Sequence, residues 1–353
     1  MYELTVNGSC FERGTQHGEE FKSQIKELFE IRRDLIENYW GRNPNLPKNT
    51  LSLKDLCEKH LGVLQKDQDL WQEFDGISQA SKLNHVDLMI LNNYTDLRDF
   101  TLSPQGETND EGCSIIYVKN SKKRIVGQTW DMHGSAAPYN LHLTDAEEGC
   151  ELLTICGCLA LCGLNRYGVS VFITNMHARD HKIGLSWPML VRKMLRSQSV
   201  DGALGIMKTN PPSSGHNYCL ADKDKVVDVE TTGGQIDIIF KSGQDDEHFF
   251  HTNHYLGQLK KHESIERQSK TTHKRYETLE KYFSDGSSSF DFNQFSNGVL
   301  EGKSHPGIYI PTNSQNEHAS ITCSGIWVDY TEKSLSLYSY RPENEDYKKV
   351  SWS

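Results

Sequence analysis

The sequence predicts a layered α+β domain, and three observations point there. Apolar residues recur at helical spacing through most of the chain before residue 100. Alternating and β-branched runs take over once a polar loop has passed, and two further helices interrupt those strands before more strands close the chain. Helices first and strands later, without regular strand–helix alternation, favour stacked layers over a doubly wound βαβ fold.

Each element has its own signal. From Phe21 the apolar positions fall at Ile25, Leu28, Phe29, Leu35, Ile36 and Tyr39, the spacing of one buried helix face. The two prolines of Asn43–Asn49 (NPNLPKN) end that pattern. Helices are expected over about Leu53–Leu64, Leu70–Leu83 and Asn84–Leu97. The glycines of Gly14–Phe21 (GTQHGEEF) are read as standing ahead of the first helix, and no full phosphate-loop or dinucleotide fingerprint accompanies them. Thr101–Gly112 (TLSPQGETNDEG) is polar and lacks apolar periodicity, which predicts an exposed loop. Cys113–Val118 and Arg124–Asp131 then flank Lys119–Lys123 as a hairpin. Glu151–Asn165 and Gly168–His177 read as further strands, with Gly163–Gly168 connecting them. Helices return at Pro188–Leu195 and Val200–Met207, and a second hairpin turns about Asp222–Lys225. A charged helix is expected over Ser264–Phe283, with Ile265, Tyr276, Leu279 and Phe283 as its apolar side. Strands around Ile321–Val328 and Ser334–Tyr340 end the chain, and no internal repeat is visible.

Composition narrows the function. The 353 residues are 36% hydrophobic and 24% charged, enough to build a core without metal or disulfide staples. With 38 Lys and Arg against 48 Asp and Glu, the formal net charge is −10, which gives no overall attraction to nucleic acid or an anionic membrane. No apolar run approaches the roughly 20 residues of a membrane helix. The first residues lack the basic and apolar regions of a signal peptide, so a cytoplasmic location is expected. Nine cysteines, an odd number, then read as thiols rather than as a disulfide framework.

The pair Gly112–Cys113 stands where the polar loop becomes a strand. Attack of the Cys113 thiol on the Gly112 carbonyl carbon would shift the acyl group from nitrogen to sulfur, and water would then cut the chain. Cys113 would emerge with a thiol and a free α-amine in one residue. An α-amine titrates at about 7.7–8.0, so its neutral form is available near neutral pH to take the thiol proton. A nucleophile that brings its own base results. Glycine before the cysteine leaves no Cβ in the way. The bland alternative is a cysteine acting as a small buried hydrophobe at a strand start. With the turn centred near Ser121, Cys113 falls opposite about Thr129 and Asp131 lies one step further, close enough to orient the thiol or its amine. Trp130 and Met132 are then expected on the other face. Read alone, Asp131 is equally well a strand-end turn carboxylate.

In order and spacing, GTQHGEEFKSQI, FDGISQASKLNHVDLMILNNYTDL, GCS, VGQTWDM, GLNRYGVSVFITN, NYCLADKDKVVDVETT, HTNHY and YSYRP resemble the acyl-coenzyme A:6-aminopenicillanate acyltransferase family, peptidase family C45 of the N-terminal nucleophile hydrolases. The resemblance implies a four-layer αββα sandwich of that type, with mostly antiparallel sheets. It implies cleavage of Gly112–Cys113 into fragments 1–112 and 113–353 that associate as one domain. Cys113 then corresponds to the nucleophile, Asp131 to its supporting aspartate, Asn253 to the asparagine at the oxyanion, and Arg341 to a late arginine near the site. Such an oxyanion donor is worth about 2.7–4 kcal/mol in the transition state. Asn253 read alone is a turn residue, and Arg341 a solvated strand-end arginine. Trp130, His133 and Asn175 are taken as substrate-pocket residues, and the stretch His133–Asn140 as lining for the acyl group.

Other constellations carry less. Cys150, Cys156, Cys158 and Cys162 match no common zinc or iron–sulfur spacing and sit in an apolar run. His177 with His181, and His251 with His254, have chelating spacings, but fifteen histidines make such pairs common and no carboxylate-rich partner is placed beside them. No metal and no cofactor is expected. The basic stretch Lys260–Lys281 reads as a solvated helix face, with attraction of a phosphate-bearing ligand as the sharper alternative.

The expected activity is therefore cleavage or exchange of the amide of a small N-acyl amine or N-acyl amino acid through a thioester acyl-enzyme. The alternatives are an acyl-coenzyme A-dependent N-acyltransferase, a non-catalytic binding protein on the same fold, and a histidine-ligated metallohydrolase. Expected partners are the small-molecule substrate and the two fragments of the chain itself, with no nucleic acid or membrane. Oligomeric state is left open, a homo-oligomer included.

Overall fold

The computed structural model describes residues 1–41, 51–100, 112–243, 247–284, 308, 310, 319–341 and 344–352. The expected loop at Thr101–Gly112 lies outside the described residues except for Gly112, as do the prolines of Asn43–Asn49. The helices before the loop are α1 (Cys10–Glu20), α2 (Lys22–Gly41), α3 (Leu53–Leu64), α4 (Gln68–Ser81), α5 (His85–Asn92) and α6 (Tyr94–Asp99). Capping boxes start two of them: Ser9 with Glu12 at α1, and Ser52 with Asp55 at α3, each side chain serving the other's backbone N–H.

Here the sequence reading needs correction. The glycines of GTQHGEEF lie inside α1, where they let it cross α4 almost backbone to backbone. A Cβ on Gly14 would stand 2.0 Å from the Glu73 carbonyl oxygen, and one on Gly76 would stand 2.3 Å from that of Phe11. The helix read over Asn84–Leu97 is two, separated at Asn93, where the backbone leaves helical geometry.

Among the described residues the strands form two sheets. One has the order β1 (Tyr2–Val6), β4 (Asn140–Asp145), β5 (Cys150–Ile155), β6 (Cys162–Asn165), β7 (Ser170–Asn175), β8 (His216–Ala221), β9 (Val226–Thr231), β10 (Ile236–Lys241). The other runs β11 (Glu247–His251), β2 (Gly112–Lys119), β3 (Arg124–His133), β12 (Ser320–Asp329), β13 (Ser334–Arg341), β14 (Asn344–Ser351). Only β1 with β4 is parallel among these pairs. The expected strand over Glu151–Asn165 is broken into β5 and β6 by Gly157, whose φ of +85° few other residues adopt. Gly163 belongs to β6, not to the connection.

Alternation along β2 fixes the layering. Cys113, Ile115 and Tyr117 join the main core with Val171 and Ile173 of β7, while Ile116 and Val118 pack outward with Leu279 and Phe283 of α9 (Thr272–Ser284). The two sheets therefore stack face to face, and the Gln128 side chain of β3 bridges them by accepting the Ile173 N–H at 2.6 Å. On the far side of the first sheet lie the early helices together with α7 (Trp187–Met194) and α8 (Val200–Thr209); on the far side of the second lies α9. The molecule is the expected four-layer αββα sandwich.

The charged helix is shorter than its sequence signal. Ile265, placed on the apolar side, is 70% exposed in a separate 3-10 turn (Ile265–Arg267), and α9 starts only at Thr272.

Candidate active site

β2 begins at the expected junction, but the hairpin register differs by one residue. Asn120 and Lys123 close the turn, Lys119 pairs with Arg124, and Cys113 consequently faces Trp130. Residues directly opposite share a face, so a one-residue slip exchanges the faces. Trp130 therefore lies beside Cys113 on the inner face. Asp131 pairs with Gly112 and lies on the outer face with Thr322 of β12, and it also contributes to the lining of the pocket beside Cys113. A turn centred half a residue later than Ser121 accounts for the whole difference.

What surrounds the junction is a set of directional hydrogen bonds. The Cys113 N–H donates to Asn253 Oδ1 at 2.9 Å. Asn253 Nδ2 donates to the Asn175 carbonyl at 2.8 Å, and its backbone N–H is held by Thr272 Oγ1 at 2.8 Å. Arg275, fully buried on α9, donates from Nη2 to Asn253 Oδ1 at 2.6 Å and from Nη1 to the Cys113 carbonyl at 2.6 Å and Ser114 Oγ at 2.9 Å. These neighbours leave Asn253 one sensible orientation. Its oxygen meets two donors and its nitrogen meets a carbonyl, so rotating the amide by half a turn would oppose like to like. The same crowding gives Gly112 a specific reason to be glycine. A Cβ there would sit 2.2 Å from Arg275 Nη2 and 2.7 Å from Asn253 Oδ1.

Asp131 is buried, and Thr322 Oγ1 donates to its Oδ1 at 2.6 Å while Oδ2 has no hydrogen-bond partner among the described residues. Burial pushes its carboxyl up to about 7, against the opposing pull of the Arg275 charge and the Thr322 bond. A group of that kind exchanges a proton near neutral pH.

A pocket opens beside Cys113. Trp130 and Asn175 line it, as does Ile173; His133 is not in its lining, since its Nδ1 is engaged by Ser135 Oγ at 2.6 Å at the end of β3. The stretch after His133 is a 3-10 turn (Gly134–Tyr139) that runs into β4 and contributes nothing to that lining. Asn175 Oδ1 is buried without a hydrogen-bond partner among the described residues. Arg341 is the last residue of β13, paired with Asn344, and its side chain lies outside the described residues.

Sequence reasoning missed Arg275, and a signal for it existed. Thr272, Arg275, Leu279 and Phe283 form the buried stripe of α9, so an arginine occupies an apolar position at helical spacing. A lone cation on such a stripe needs buried partners. The histidine pairs, too, are less bare than their sequence neighbours suggest. Glu230 Oε1 stands 3.1 Å from His251 Nε2, and Asp99 Oδ1 stands 3.3 Å from His177 Nδ1. Glu230 reaches His251 from another strand, and Asp99 reaches His177 from a helix, through the tertiary fold.

A family model described as acyl-coenzyme A:6-aminopenicillanic acid acyl-transferase matches residues 118–321, which take in Asp131, Asn175, Asn253 and Arg275 and leave out Cys113 and Arg341. Among solved structures, penicillin V acylase from Agrobacterium tumefaciens is 11% identical, covering 68% of this chain and 86% of that one, with a TM-score of 0.38. A mutant of the conjugated bile acid hydrolase from Clostridium perfringens is 10% identical, covering 67% of this chain and 92% of that one, with a TM-score of 0.42.

Proposed function

The chain belongs to the acyl-coenzyme A:6-aminopenicillanic acid acyl-transferase family, and on that premise we propose that it is a self-processing amidohydrolase or acyltransferase whose nucleophile is Cys113. The observation that carries this reading is the bond from the Cys113 N–H to Asn253 Oδ1. The nitrogen that scission would turn into an α-amine is already held at the mouth of a pocket, by an acceptor that Arg275 and Asn175 fix in place.

In the first stage the Cys113 sulfur bonds to the Gly112 carbonyl carbon, the C–N bond breaks, and the thiol proton ends on the departing nitrogen. Water then cleaves the thioester and frees the Gly112 carboxylate. In the second stage the neutral α-amine accepts the thiol proton, and the thiolate attacks the substrate amide carbonyl. Negative charge forms on the carbonyl oxygen, where the side-chain amide of Asn253, with one N–H beyond its bond to Asn175, is the candidate donor. The α-ammonium returns its proton to the leaving amine, and water or a second amine resolves the acyl-enzyme. On the outer face, the Asp131 carboxylate offsets the positive charge that appears at the new amino terminus beside the Arg275 guanidinium. The substrate is a small N-acyl amine or N-acyl amino acid, and fragments 1–112 and 113–353 stay together through the shared core.

Denaturing mass spectrometry of the parent, Cys113→Ala and Cys113→Ser is the test. We expect the parent to split before Cys113, Ala to remain whole and without turnover, and Ser to split slowly or not at all. Scission persisting in Cys113→Ala would assign the cut to another protease and end the reading.

A further inference from the structure

The histidine that follows Asn253 has no part in the steps above. His254 is buried just past the end of β11. Its Nδ1 stands 2.9 Å from Thr272 Oγ1 and 3.1 Å from Thr252 Oγ1. Thr272 opens α9, and its Oγ1 is the atom that accepts the Asn253 N–H at 2.8 Å. One hydroxyl oxygen therefore meets both Asn253 and the imidazole beside it. The ring is wedged in place, with its centroid 4.3 Å from that of His273 and 5.3 Å from that of Tyr276, both on α9. Thr271, one residue earlier, accepts from Arg275 Nε at 3.2 Å. The start of α9 thus serves Arg275 through Thr271 and Asn253 through Thr272.

The supply of protons fixes the tautomer of the ring. Thr252 Oγ1 donates to the Thr272 carbonyl at 3.2 Å, and Thr272 Oγ1 donates to Thr252 Oγ1 at 2.9 Å. Each hydroxyl has a single proton, so both are spent there. The contacts of Nδ1 with the two oxygens are then hydrogen bonds only if Nδ1 itself carries a proton. Burial, with His251, His273, Lys260 and Arg275 as neighbouring cations, pushes the imidazole down to about 3, so the ring is neutral and Nε2 is bare. The two lone pairs of Thr272 Oγ1 go to the Asn253 N–H and to His254 Nδ1–H. The His251–His254 spacing serves the fold in this way: His251 Nε2 faces Glu230 while His254 Nδ1 faces Thr272.

We propose that His254, as its Nδ1–H tautomer, is a positioning residue for Asn253. It holds the Thr272 hydroxyl with its proton turned to Thr252 and a lone pair turned to the Asn253 N–H, so that Asn253 Oδ1 meets the Cys113 N–H. This rests on the nucleophile assigned above and adds a residue to its support. His254 touches neither the sulfur nor the scissile carbonyl in that role; it acts through Thr272 alone.

The test compares three variants of the full-length chain. His254→Asn places an amide N–H where Nδ1 stood, His254→Gln places one where Nε2 stood, and His254→Phe keeps a ring without a donor. Losing one hydrogen bond to a positioned group should slow scission and kcat about tenfold in His254→Phe and His254→Gln, with KM within about twofold of the parent. His254→Asn should stay within about threefold of the parent, because the donor is kept. A role in folding alone would make the rates follow the thermal midpoint and would not separate His254→Asn from His254→Gln. Nitrogen-15 NMR of histidine-labelled Cys113→Ala, assigned by the signal that His254→Asn removes, should show Nδ1 protonated and Nε2 bare. If the His254 variants do not fold, Thr272→Ser against Thr272→Val decides: the first must keep the rate and the second must lose it. A proton on Nε2 in place of Nδ1, equal losses in His254→Asn and His254→Gln, or no loss in any variant overturns the proposal. Should the parent split and turn over on Cys113 while every variant matches it, this role fails and the nucleophile stands. A parent that does neither sinks the nucleophile, and this role with it.

Discussion

At the scale of single residues, Arg275 and Asn253 act as one unit, because one guanidinium fixes both the amide of Asn253 and the carbonyl of Cys113. Arg275→Leu removes a fully buried cation together with its hydrogen bonds to Asn253 Oδ1, the Cys113 carbonyl, Ser114 Oγ and Thr271 Oγ1. We expect scission and turnover to slow by about 10²–10³, the scale of losing one positioned donor, with Arg275→Lys restoring little because it lacks the fork. Single-turnover rates against the parent measure this, and a rate within twofold of the parent would show that Asn253 is positioned without the guanidinium. A second residue-scale expectation concerns pH. Burial pushes the Asp228 carboxyl up to about 7, with His251 and Asn217 pulling the other way. The folded state thus holds the proton more tightly than the unfolded chain, whose Asp titrates near 3.9. Its contribution is complete below about pH 4 and disappears as pH rises through about 7. Asp228→Asn does not titrate, so its stability relative to the parent should improve by roughly 2–4 kcal/mol between pH 4 and pH 8. Urea midpoints at the two pH values give the answer, and a flat difference would mean the carboxyl is ionised throughout.

At the scale of elements, close approaches and turns decide more than propensity does. The crossing of α1 and α4 requires glycine at 14 and 76, since any side chain there meets backbone. Gly14→Val should cost at least about 3 kcal/mol through overpacking and loss of the ion pairs nearby, read as a fall in the thermal midpoint. Gly157→Ala, at φ +85° and with Ile25 and Leu91 within about 3.2 Å of the new Cβ, should cost about 1–3 kcal/mol. The hairpin is the instructive case on the sequence side. Both of its strands and the turn between them were legible, yet half a residue in the turn centre moved Asp131 from the thiol side to the outer face. Alternation tells which residues share a face within one strand; it does not tell which strand residue they meet. β1, β4, β10, β11 and β14 escaped notice because polar residues interrupt their apolar positions and leave too little alternation to stand out from loops.

For the whole molecule, the two expected fragments are stitched together by charge as well as by core. Arg13 and Glu73 come from the first fragment; Asp145, Glu148, Arg192 and Arg196 come from the second. Arg192, fully buried, bonds Glu73 through Nε at 3.0 Å and ion-pairs with Glu148 at 3.0 Å. Arg13 meets Asp145 at 3.1 Å. Arg192→Met strips the cation from two or more buried carboxylates, which should cost about 3–5 kcal/mol. We expect the variant to lose co-elution of the fragments on gel filtration in mild urea while the parent keeps it; retained co-elution at equal urea would assign the association to apolar contact alone. None of the described helices is long and apolar enough to cross a membrane.

The sequence by itself determined the layered α+β class, the order of most elements and the junction at Gly112–Cys113. Those are carried by local signals: periodicity, turn chemistry and a motif whose reagents adjoin in the chain. Tertiary structure decided the hairpin register, the place of Arg275 beside Asn253, and the contact of His254 with Thr272. Arg275 and Asn253 are 22 residues apart, and His254 and Thr272 are 18 apart. What brings each pair together is the stacking of sheets and the docking of a helix, and no periodicity within either segment encodes that distance.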